Sequence, residues 1–294
     1  MKKVDVLMQA LPYLRRWRGK AFLVKLGGAV ADDRESLASL AQDLSLLHNV
    51  GIKICVVHGG GPQATELTKR LGHEPRFVEG RRVTDENALE VAKMVFAGKI
   101  SLEILGALRG EGLRAVGLSG VAGDLIHAAR RAPTRVKDPK TGETREVDMG
   151  HVGDIVRVDT SVLRLLMDGG FVPVVSSLGA DEKGNVLNIN ADTVATALAI
   201  DMKADKFIFM TDVDGILRRK DDPKTLESRL TLAQIDRMVA KGKIAGGMLP
   251  KVKACTDAVK GGVERVHILN GSKSHTLLLE IFTKHGVGTL ITAE

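Results

Sequence analysis

Short runs of aliphatic and β-branched residues alternate along this chain with longer stretches of helical periodicity. Seven runs have the length and composition of buried strands, over residues 22–26, 52–57, 115–118, 172–176, 207–211, 263–269 and 289–292. Amphipathic stretches lie between them and include residues 34–49, 63–71, 86–109, 191–201 and 249–260. Strands that alternate with helices predict an α/β protein with an open, mainly parallel sheet sandwiched by helices.

One internal segment, residues 124–159, departs from this alternation. It is rich in charge and carries Asp138-Pro139 and Thr141-Gly142, which favour turns. We expect it to form a β-hairpin excursion on the surface of the domain.

The N-terminus predicts an extra helix ahead of the first strand. Val4, Leu7, Leu11 and Leu14 follow helical spacing, and Pro12 is an expected kink. The apolar stripe can pack on its own domain or be buried by a second subunit. We favour burial by a second subunit, because a helix added before the first strand has little of its own domain to cover it. Residues 1–20 are therefore interpreted as an oligomerisation helix.

Composition excludes several classes of protein. Hydrophobic residues make up 44% and charged residues 27% of the 294 positions, as in ordinary globular proteins. The apolar runs are too short to span a membrane, and arginines at positions 15, 16 and 18 argue against a secretory signal. Two cysteines cannot form a disulfide framework. These features favour a cytoplasmic protein without a membrane segment.

The net charge of +7 suggests an anionic partner. Nucleic acid is one such partner, but seven phenylalanines, one tyrosine and one tryptophan provide no obvious platform for stacking bases. A basic cleft for a small anionic molecule is the preferred interpretation, and no nucleic acid is expected.

Glycine-rich turns follow several predicted strands. The first strand ends at Lys25-Leu26-Gly27-Gly28, the second at His58-Gly59-Gly60-Gly61, and near the fifth comes Thr211-Asp212-Val213-Asp214-Gly215. In open α/β sheets, ligands bind beyond the carboxyl ends of the strands, where glycines let backbone N–H groups approach an anion. The turns therefore predict a cradle for a phosphate or a carboxylate.

Two later motifs add charge, and each also has a simple structural explanation. Asp192 stands at the start of a helix, and capping that helix could be its whole role. Lys251 follows Gly246-Gly247 in the first turns of another helix, where it could be an ordinary solvated lysine. Walker, protein-kinase, HExxH and CxxC patterns do not occur.

Taken in order, these motifs resemble the amino-acid kinase family, and in particular its branch that phosphorylates the side-chain carboxylate of N-acetyl-L-glutamate. The matching segments are KLGG, VVHGGGPQ, GRRVTD, GLSG, PVVSSLG, NINAD, TDVDGIL and GGMLPKV. The terminal segments ALPYLRRWRGK and HTLLLEIFTKHGVGTLI resemble those of arginine-inhibited, hexameric members. The resemblance implies the amino-acid kinase fold over residues 21–294, with an acceptor lobe at about 21–190 and an ATP lobe at about 191–294.

The resemblance also implies roles for individual residues. The catalytic set is Lys25, Lys251 and Asp192, and the acceptor-binding set is Gly60, Gly61, Arg82 and Asn188. The ATP-binding set is Gly27, Gly28, Asp212, Val213, Asp214, Gly215, Ile216, Leu217, Lys243, Ile244, Ala245, Gly246 and Gly247. Tyr13, Glu280 and Gly288 are the implied arginine-effector set. Arg82 is aligned with the family's substrate arginine because it directly precedes Val83-Thr84, although Arg81 stands where the family usually has a small or apolar residue.

The expected chemistry explains a lysine at the end of an apolar strand. A carboxylate with a pKa near ~4 is ionised at neutral pH and needs no general base. The obstacle is the repulsion between this anion and the γ-phosphate of ATP, which fixed positive charges relieve. Magnesium is expected to arrive with ATP and to be held by phosphates and water, so no protein metal site is predicted.

Two alternatives remain open. The same fold could phosphorylate another acceptor, such as an aminoadipate-derived carboxylate, aspartate, carbamate or UMP. It could also serve as a non-catalytic amino-acid sensor, although a sensor would be expected to lack one of Lys25, Asp192 and Lys251. The implied assembly is a homohexamer, a trimer of dimers.

Overall fold

The computed structural model describes residues 3–137, 144–219, 222–284 and 286–294. Its strands are β1 (Ala21–Leu26), β2 (Lys53–His58), β3 (Phe77–Val78), β4 (Arg81–Arg82), β5 (Ala115–Ser119), β6 (Ile126–Arg130), β7 (Thr134–Lys137), β8 (Thr144–Val147), β9 (Gly153–Val158), β10 (Val172–Ser176), β11 (Leu178–Ala180), β12 (Val186–Asn188), β13 (Lys206–Thr211), β14 (Arg229–Thr231), β15 (Val266–Asn270) and β16 (Thr289–Thr292).

The α-helices are α1 (Lys3–Trp17), α2 (Gly28–Asp32), α3 (Arg34–Asn49), α4 (Gly61–Arg70), α5 (Glu86–Ala92), α6 (Ser101–Gly110), α7 (Ser161–Asp168), α8 (Ala191–Asp201), α9 (Leu232–Ala240), α10 (Met248–Lys260) and α11 (Thr276–Phe282). A π-helical segment, Lys93–Ile100, joins α5 to α6, and short 3₁₀ turns occur at Ala122–Asp124 and Pro223–Thr225.

All seven predicted strands lie in one eight-stranded sheet with the order β14-β16-β15-β13-β1-β2-β10-β5. Its pairs are parallel except β15 with β16. The predicted α/β class with an open, mainly parallel sheet between helices is therefore confirmed. Four adjacent strands, β13, β1, β2 and β10, are buried on both faces, which is why they read as continuous apolar runs in the sequence.

The two faces of the sheet bury separate hydrophobic clusters. Leu23 of β1 packs in a cluster with residues of α8 and α10, including Val194 and Cys255. The adjacent Phe22 and Val24 pack in the cluster on the other face, which takes in α3 and α6. Because side chains alternate along a strand, Lys25 points to the same face as Leu23, toward α8 and α10.

The predicted excursion at 124–159 folds as antiparallel strands, but it is larger than one hairpin. β6 pairs with β9, and both belong to a four-stranded sheet with the order β12-β11-β6-β9. β7 pairs with β8 as a separate two-stranded ribbon. The predicted turn residues Asp138-Pro139 and Thr141-Gly142 lie outside the described residues.

The extra N-terminal helix is confirmed over Lys3–Trp17, with Pro12 inside it. Trp17 is buried and meets Phe22 of β1 edge-on, with 5.5 Å between ring centroids. The role of this helix in oligomerisation stays a prediction. Across the described ranges, none of the helices combines the length and apolar character that a bilayer crossing requires.

Candidate functional site

An ion pair between Lys25 and Asp192 lies at the centre of the site. Lys25 Nζ is 2.6 Å from Asp192 Oδ1, and the two side chains are 9% and 15% exposed. Burial by itself would raise the pKa of Asp192, but the charges of Lys25 and Lys251 outweigh it and hold the pKa below the usual value. Asp192 is therefore a carboxylate that stays ionised between two lysines.

Asp192 is free for this role because another residue caps α8. Asn190 Oδ1 accepts hydrogen bonds from the N–H groups of Asp192 and Thr193, at 2.9 and 3.1 Å. The simple capping explanation for Asp192 is therefore wrong.

Lys251 reaches the pair from α10, which packs beside α8. Thr196 Oγ1 donates to the carbonyl of Ala254 at 3.3 Å and joins the two helices one turn beyond Asp192 and Lys251. Cys255 is fully buried below these charges, and burial raises the pKa of its thiol. A half-buried lysine whose charge acts on Asp192 differs from an ordinary solvated lysine.

The glycine turns are in close contact with one another. A Cβ atom on Gly28 would lie 2.9 Å from Pro62 Cδ, and one on Gly59 would lie 3.0 Å from Ala191 Cβ. The turns after β1 and β2 and the start of α8 therefore converge at the carboxyl edge of the sheet. Gln63 reinforces this junction, because its buried Nε2 donates to the carbonyl of Gly28 at 3.0 Å.

Gly60 must lack a side chain because side chains of the π-helical segment pack directly against it. A Cβ there would lie 2.3 Å from Ile100 Cδ1 and 2.7 Å from Phe96 Cδ1. Both residues belong to Lys93–Ile100, where the wider turn changes which side chains face the sheet. The π-helical segment thus shapes the second glycine turn.

Arg82 lies in the wall of the site and is held by neighbouring groups. Its Nη2 donates to the carbonyl of Gly61 at 2.9 Å and to Thr65 Oγ1 at 2.5 Å. Its guanidinium lies 5.0 Å from the ring centroid of Phe77. Partial burial lowers the pKa of Arg82, which nonetheless stays cationic at neutral pH.

Asn188 is connected to the same wall through Thr84, since its Nδ2 donates to Thr84 Oγ1 at 3.0 Å. An amide side chain carries an acceptor oxygen as well as this donor. The motifs GRRVTD and NINAD, which are about a hundred residues apart in the chain, therefore meet.

Several of these residues, but not Lys251, line one cavity of about 470 Å³. Of the predicted residues, its lining contains Lys25, Asp192, Gly28, Gly60, Gly61, Arg82 and Asn188. Lining residues to which the sequence assigned no role are Thr65, Phe77, Phe96, Arg131, Val152 and Ser177. Thr65 lies one helical turn after Gly61, which is a signal the sequence offered, whereas the π-helical register that brings in Phe96 left none.

The remaining predicted ATP residues do not line this cavity. Gly27 is on the sheet side of its turn, where its N–H donates to the carbonyl of Met210 at 2.8 Å. Residues 212–217, here named the nucleotide loop, follow β13, the strand next to β1. Residues 243–247 precede α10, which carries Lys251. Each segment buries one isoleucine, Ile216 or Ile244, in the cluster on the α8 and α10 face.

The predicted effector residues lie apart from the cavity, around α11. Glu280 Oε2 accepts hydrogen bonds from the N–H groups of Val287 and Gly288, at 2.8 and 3.1 Å. Tyr13 of α1 packs against the hydrophobic cluster that contains Leu277 and Ile281 of α11. The structure brings Glu280 and Gly288 together, and α1 contacts the helix that carries Glu280.

The described residues do not gather the side chains that usually hold a metal ion. Within the described ranges, there is no group of three or more His, Cys, Asp or Glu side chains arranged to hold a metal ion. Asp192, the carboxylate in the cavity, already pairs with Lys25.

Comparison with known proteins adds independent information. Residues 20–270 match the model of the amino acid kinase family. The chain is 45% identical over 292 residues to an acetylglutamate kinase from Methanothermobacter thermautotrophicus, covering 99% of this chain and 100% of that protein. It is 47% identical over 291 residues to an acetylglutamate kinase from Symbiobacterium thermophilum, covering 99% and 98%.

Solved structures with the same fold are also similar to this chain. An N-acetylglutamate synthase from Neisseria gonorrhoeae, complexed with coenzyme A and N-acetyl-glutamate, superposes with a TM-score of 0.84 and 30% identity. All of this chain is covered, and it spans 64% of the length of the synthase. A carbamate kinase from Giardia has a TM-score of 0.64 at 18% identity, with 94% and 99% covered, and shares the fold.

Proposed function

Because this chain belongs to the amino acid kinase family, within its acetylglutamate kinases, we propose that it transfers the γ-phosphoryl group of ATP to the side-chain carboxylate of N-acetyl-L-glutamate. The product is N-acetyl-L-glutamyl 5-phosphate, an intermediate of arginine biosynthesis. The two relatives named above, similar over nearly their whole length, support this reaction.

The observation that carries the proposal is the buried Lys25–Asp192 pair, with the charge of Lys251 beside it, at the edge of the cavity. In the reaction a carboxylate oxygen forms a bond to the γ-phosphorus while the bond from that phosphorus to the β–γ bridging oxygen breaks. No proton moves, because the attacking carboxylate is already ionised. Lys25 and Lys251 offset the negative charge that builds up at the phosphoryl group and at the leaving oxygen.

Asp192 positions both ammonium groups. Without a carboxylate between them, two lysines would repel each other and turn toward solvent. With it, both charges are fixed before the nucleotide binds, so little reorganisation is needed during the reaction.

Arg82 and Asn188 are the proposed contacts for the amino-acid end of the acceptor. A guanidinium can bind a carboxylate through two parallel hydrogen bonds, which lysine cannot reproduce. Thr65 and Phe77 already hold this guanidinium in the cavity wall. Magnesium, when bound with ATP, supplies charge neutralisation at the phosphates.

A coupled assay for ADP release tests the proposal. N-acetyl-L-glutamate is compared with glutamate, aspartate, carbamate and UMP at equal concentration, and the acetylated substrate is expected to give the highest kcat/KM. A higher value for UMP or carbamate would assign the chain to another acceptor class, and binding without turnover would support the sensor alternative.

We further propose that arginine inhibits the enzyme through Tyr13, Glu280 and Gly288, and that α1 assembles three dimers into a hexamer. Contact between α1 and α11, the helix of Glu280, supports this coupling, as does a related synthase solved with L-arginine, at 27% identity and a TM-score of 0.83. Two free, buried cysteines agree with a location in the cytoplasm.

Removing residues 1–18 tests the regulatory proposal. The truncated chain is expected to lose inhibition by arginine and to sediment as dimers, while the full chain sediments as hexamers. Full inhibition in the truncated protein, or an unchanged oligomer, would contradict it.

A further inference from the structure

Residues 270–276, which run from the last residue of β15 to the first residue of α11, contact the nucleotide loop, α2 and α3 and are here named the β15 segment. It is fixed internally, because Asn270 Oδ1 accepts from the N–H of Ser272 at 2.9 Å and the carbonyl of Asn270 accepts from Thr276 Oγ1 at 2.8 Å. An exposed segment with such bonds can hold its neighbours in place.

On one side, the β15 segment holds the nucleotide loop. Asp214 Oδ1 is 2.6 Å from Lys273 Nζ and accepts a hydrogen bond from Asn270 Nδ2 at 2.8 Å. These two hydrogen bonds hold the pKa of Asp214 below its usual value. The N–H of Gly271 donates to the carbonyl of Thr211 at 2.7 Å, directly before the loop.

On the other side, the segment packs on the helices that follow the first glycine turn. A Cβ atom on Gly271 would lie 2.6 Å from Val30 Cγ2 of α2, so only glycine allows this contact. The N–H of His275 donates to Ser39 Oγ at 3.2 Å, and its ring Nδ1 is 2.6 Å from Oδ1 of the buried Asp43. Ser39 and Asp43 both belong to α3.

We propose that Lys273 and Asn270 are positioning residues for nucleotide binding, and that they act through Asp214. They hold the nucleotide loop on the β15 segment, and Lys273 also neutralises a carboxylate that would otherwise repel the phosphates of ATP. The proposal rests on the proposed function, because it takes the nucleotide loop as a wall of the ATP site.

Substitutions that remove the charge of Lys273 or of Asp214 test whether Lys273 acts through Asp214. Lys273→Ala leaves Asp214 negative and loosely held, so the Kd for ATP should rise about five- to tenfold. Asp214→Asn removes the negative charge that Lys273 offsets and keeps an acceptor for Asn270, so adding Lys273→Ala to this variant should change the Kd for ATP less than about twofold. The double variant should bind ATP like Asp214→Asn. Titration calorimetry on the full chain measures all four proteins, with Lys260→Ala as an exposed control.

Two outcomes of the titration would overturn the proposal. An unchanged Kd in Lys273→Ala shows that the contact does not matter for binding. A double variant that binds ATP about five- to tenfold more weakly than Asp214→Asn shows that Lys273 contacts the nucleotide directly. The proposal also expects a higher KM for ATP in Lys273→Ala, with the KM for the acceptor within about twofold, and recovery in Lys273→Arg.

Hydrogen exchange on the ligand-free chain tests the positioning separately from the function. Peptides that cover residues 207–217 should exchange faster in Lys273→Ala than in wild type, while β1 should not change. Equal exchange would contradict the positioning even if ATP binds. A wild-type chain that binds no ATP, with faster exchange in the variant, would instead contradict the proposed function.

Discussion

Two buried clusters of ionisable side chains in the described part of the chain each contain a lysine, and the contacts of that lysine differ between them. The first joins Lys25 directly to Asp192 at the edge of the cavity. In the second, His267 stands between Lys206 and Glu280, with 2.8 Å from its ring nitrogens to each. Each lysine lies on a central strand, yet only one of them has a carboxylate in direct contact.

The environment of the second cluster opposes charge. Burial, with the nearby charges of Arg265 and Arg16, lowers the pKa of Lys206 to about 7. Burial also lowers the pKa of His267 to about 4, so it is a neutral histidine that donates to Glu280. Lys206 also lies 4.7 Å from the ring centroid of Trp17, at the end of α1. A buried lysine is therefore not enough to identify a catalytic site; the directly paired carboxylate and the adjoining cavity distinguish Lys25.

The largest effect that would test this comparison is the loss of activity in Lys25→Ala. Removing one preorganised charge should lower kcat about 10²- to 10³-fold, equivalent to ~3–4 kcal/mol of transition-state stabilisation, with a smaller change in KM. Lys206→Met, which alters the other cluster, should retain kcat within about threefold of wild type. Steady-state kinetics at saturating ATP decide the matter, and equal losses in both variants would remove the distinction.

Asp192→Asn should reduce stability as well as activity. The amide leaves Lys25 and Lys251 without a counter-charge, at a cost of about 3 kcal/mol in the free energy of unfolding. Since the pKa of Asp192 is lowered by folding, its contribution is present above the unfolded value of 3.8 and is lost as the pH falls through the folded pKa. Urea denaturation at pH 7 should show the full difference.

Urea denaturation near pH 3 should show a smaller difference between Asp192→Asn and wild type. A difference that stays constant down to pH 3 would mean that the carboxylate charge contributes nothing.

The smallest expected effect is a change of slope in Lys206→Met. The unfolded chain binds a proton at Lys206 up to about pH 10, whereas the folded chain releases it near pH 7. Wild-type stability should therefore rise with pH, relative to the variant, by about 1 kcal/mol per pH unit between pH 7.5 and 9.5. Parallel curves for the two proteins, with Lys260→Met as a control, would show that Lys206 is not buried as described.

The alternation of strands and helices was predictable because strands buried on both faces need long apolar runs. All seven predicted strands joined the main sheet, and α3 and α8 have the predicted bounds. β14 could not be found in this way, because it is an edge strand of three residues with one buried side chain. Short edge elements depend on their neighbours more than on their own pattern.

Some features of the site were likewise predictable from local sequence, and others were not. Period-two alternation in β1 places Lys25 on the face of Leu23, so the direction of this lysine followed from local sequence. Three other features did not follow from local sequence. They are the capping of α8 by Asn190, the close contact of Phe96 and Ile100 with Gly60, and the bonds from Asn270 and Lys273 to Asp214. Each of them joins elements whose separation is set by packing.

By itself, the sequence determined the fold class, the glycine turns at the strand ends and the identity of the charged side chains. These depend on residue type and on periodicity within single elements, which act over a few neighbouring positions. Only the tertiary structure decided that Lys25 pairs with Asp192, that Asn270 and Lys273 hold Asp214, and where the cavity opens. Those outcomes arise from contacts between residues far apart in the chain, and their distances exist only once the sheet and both helical layers have packed together.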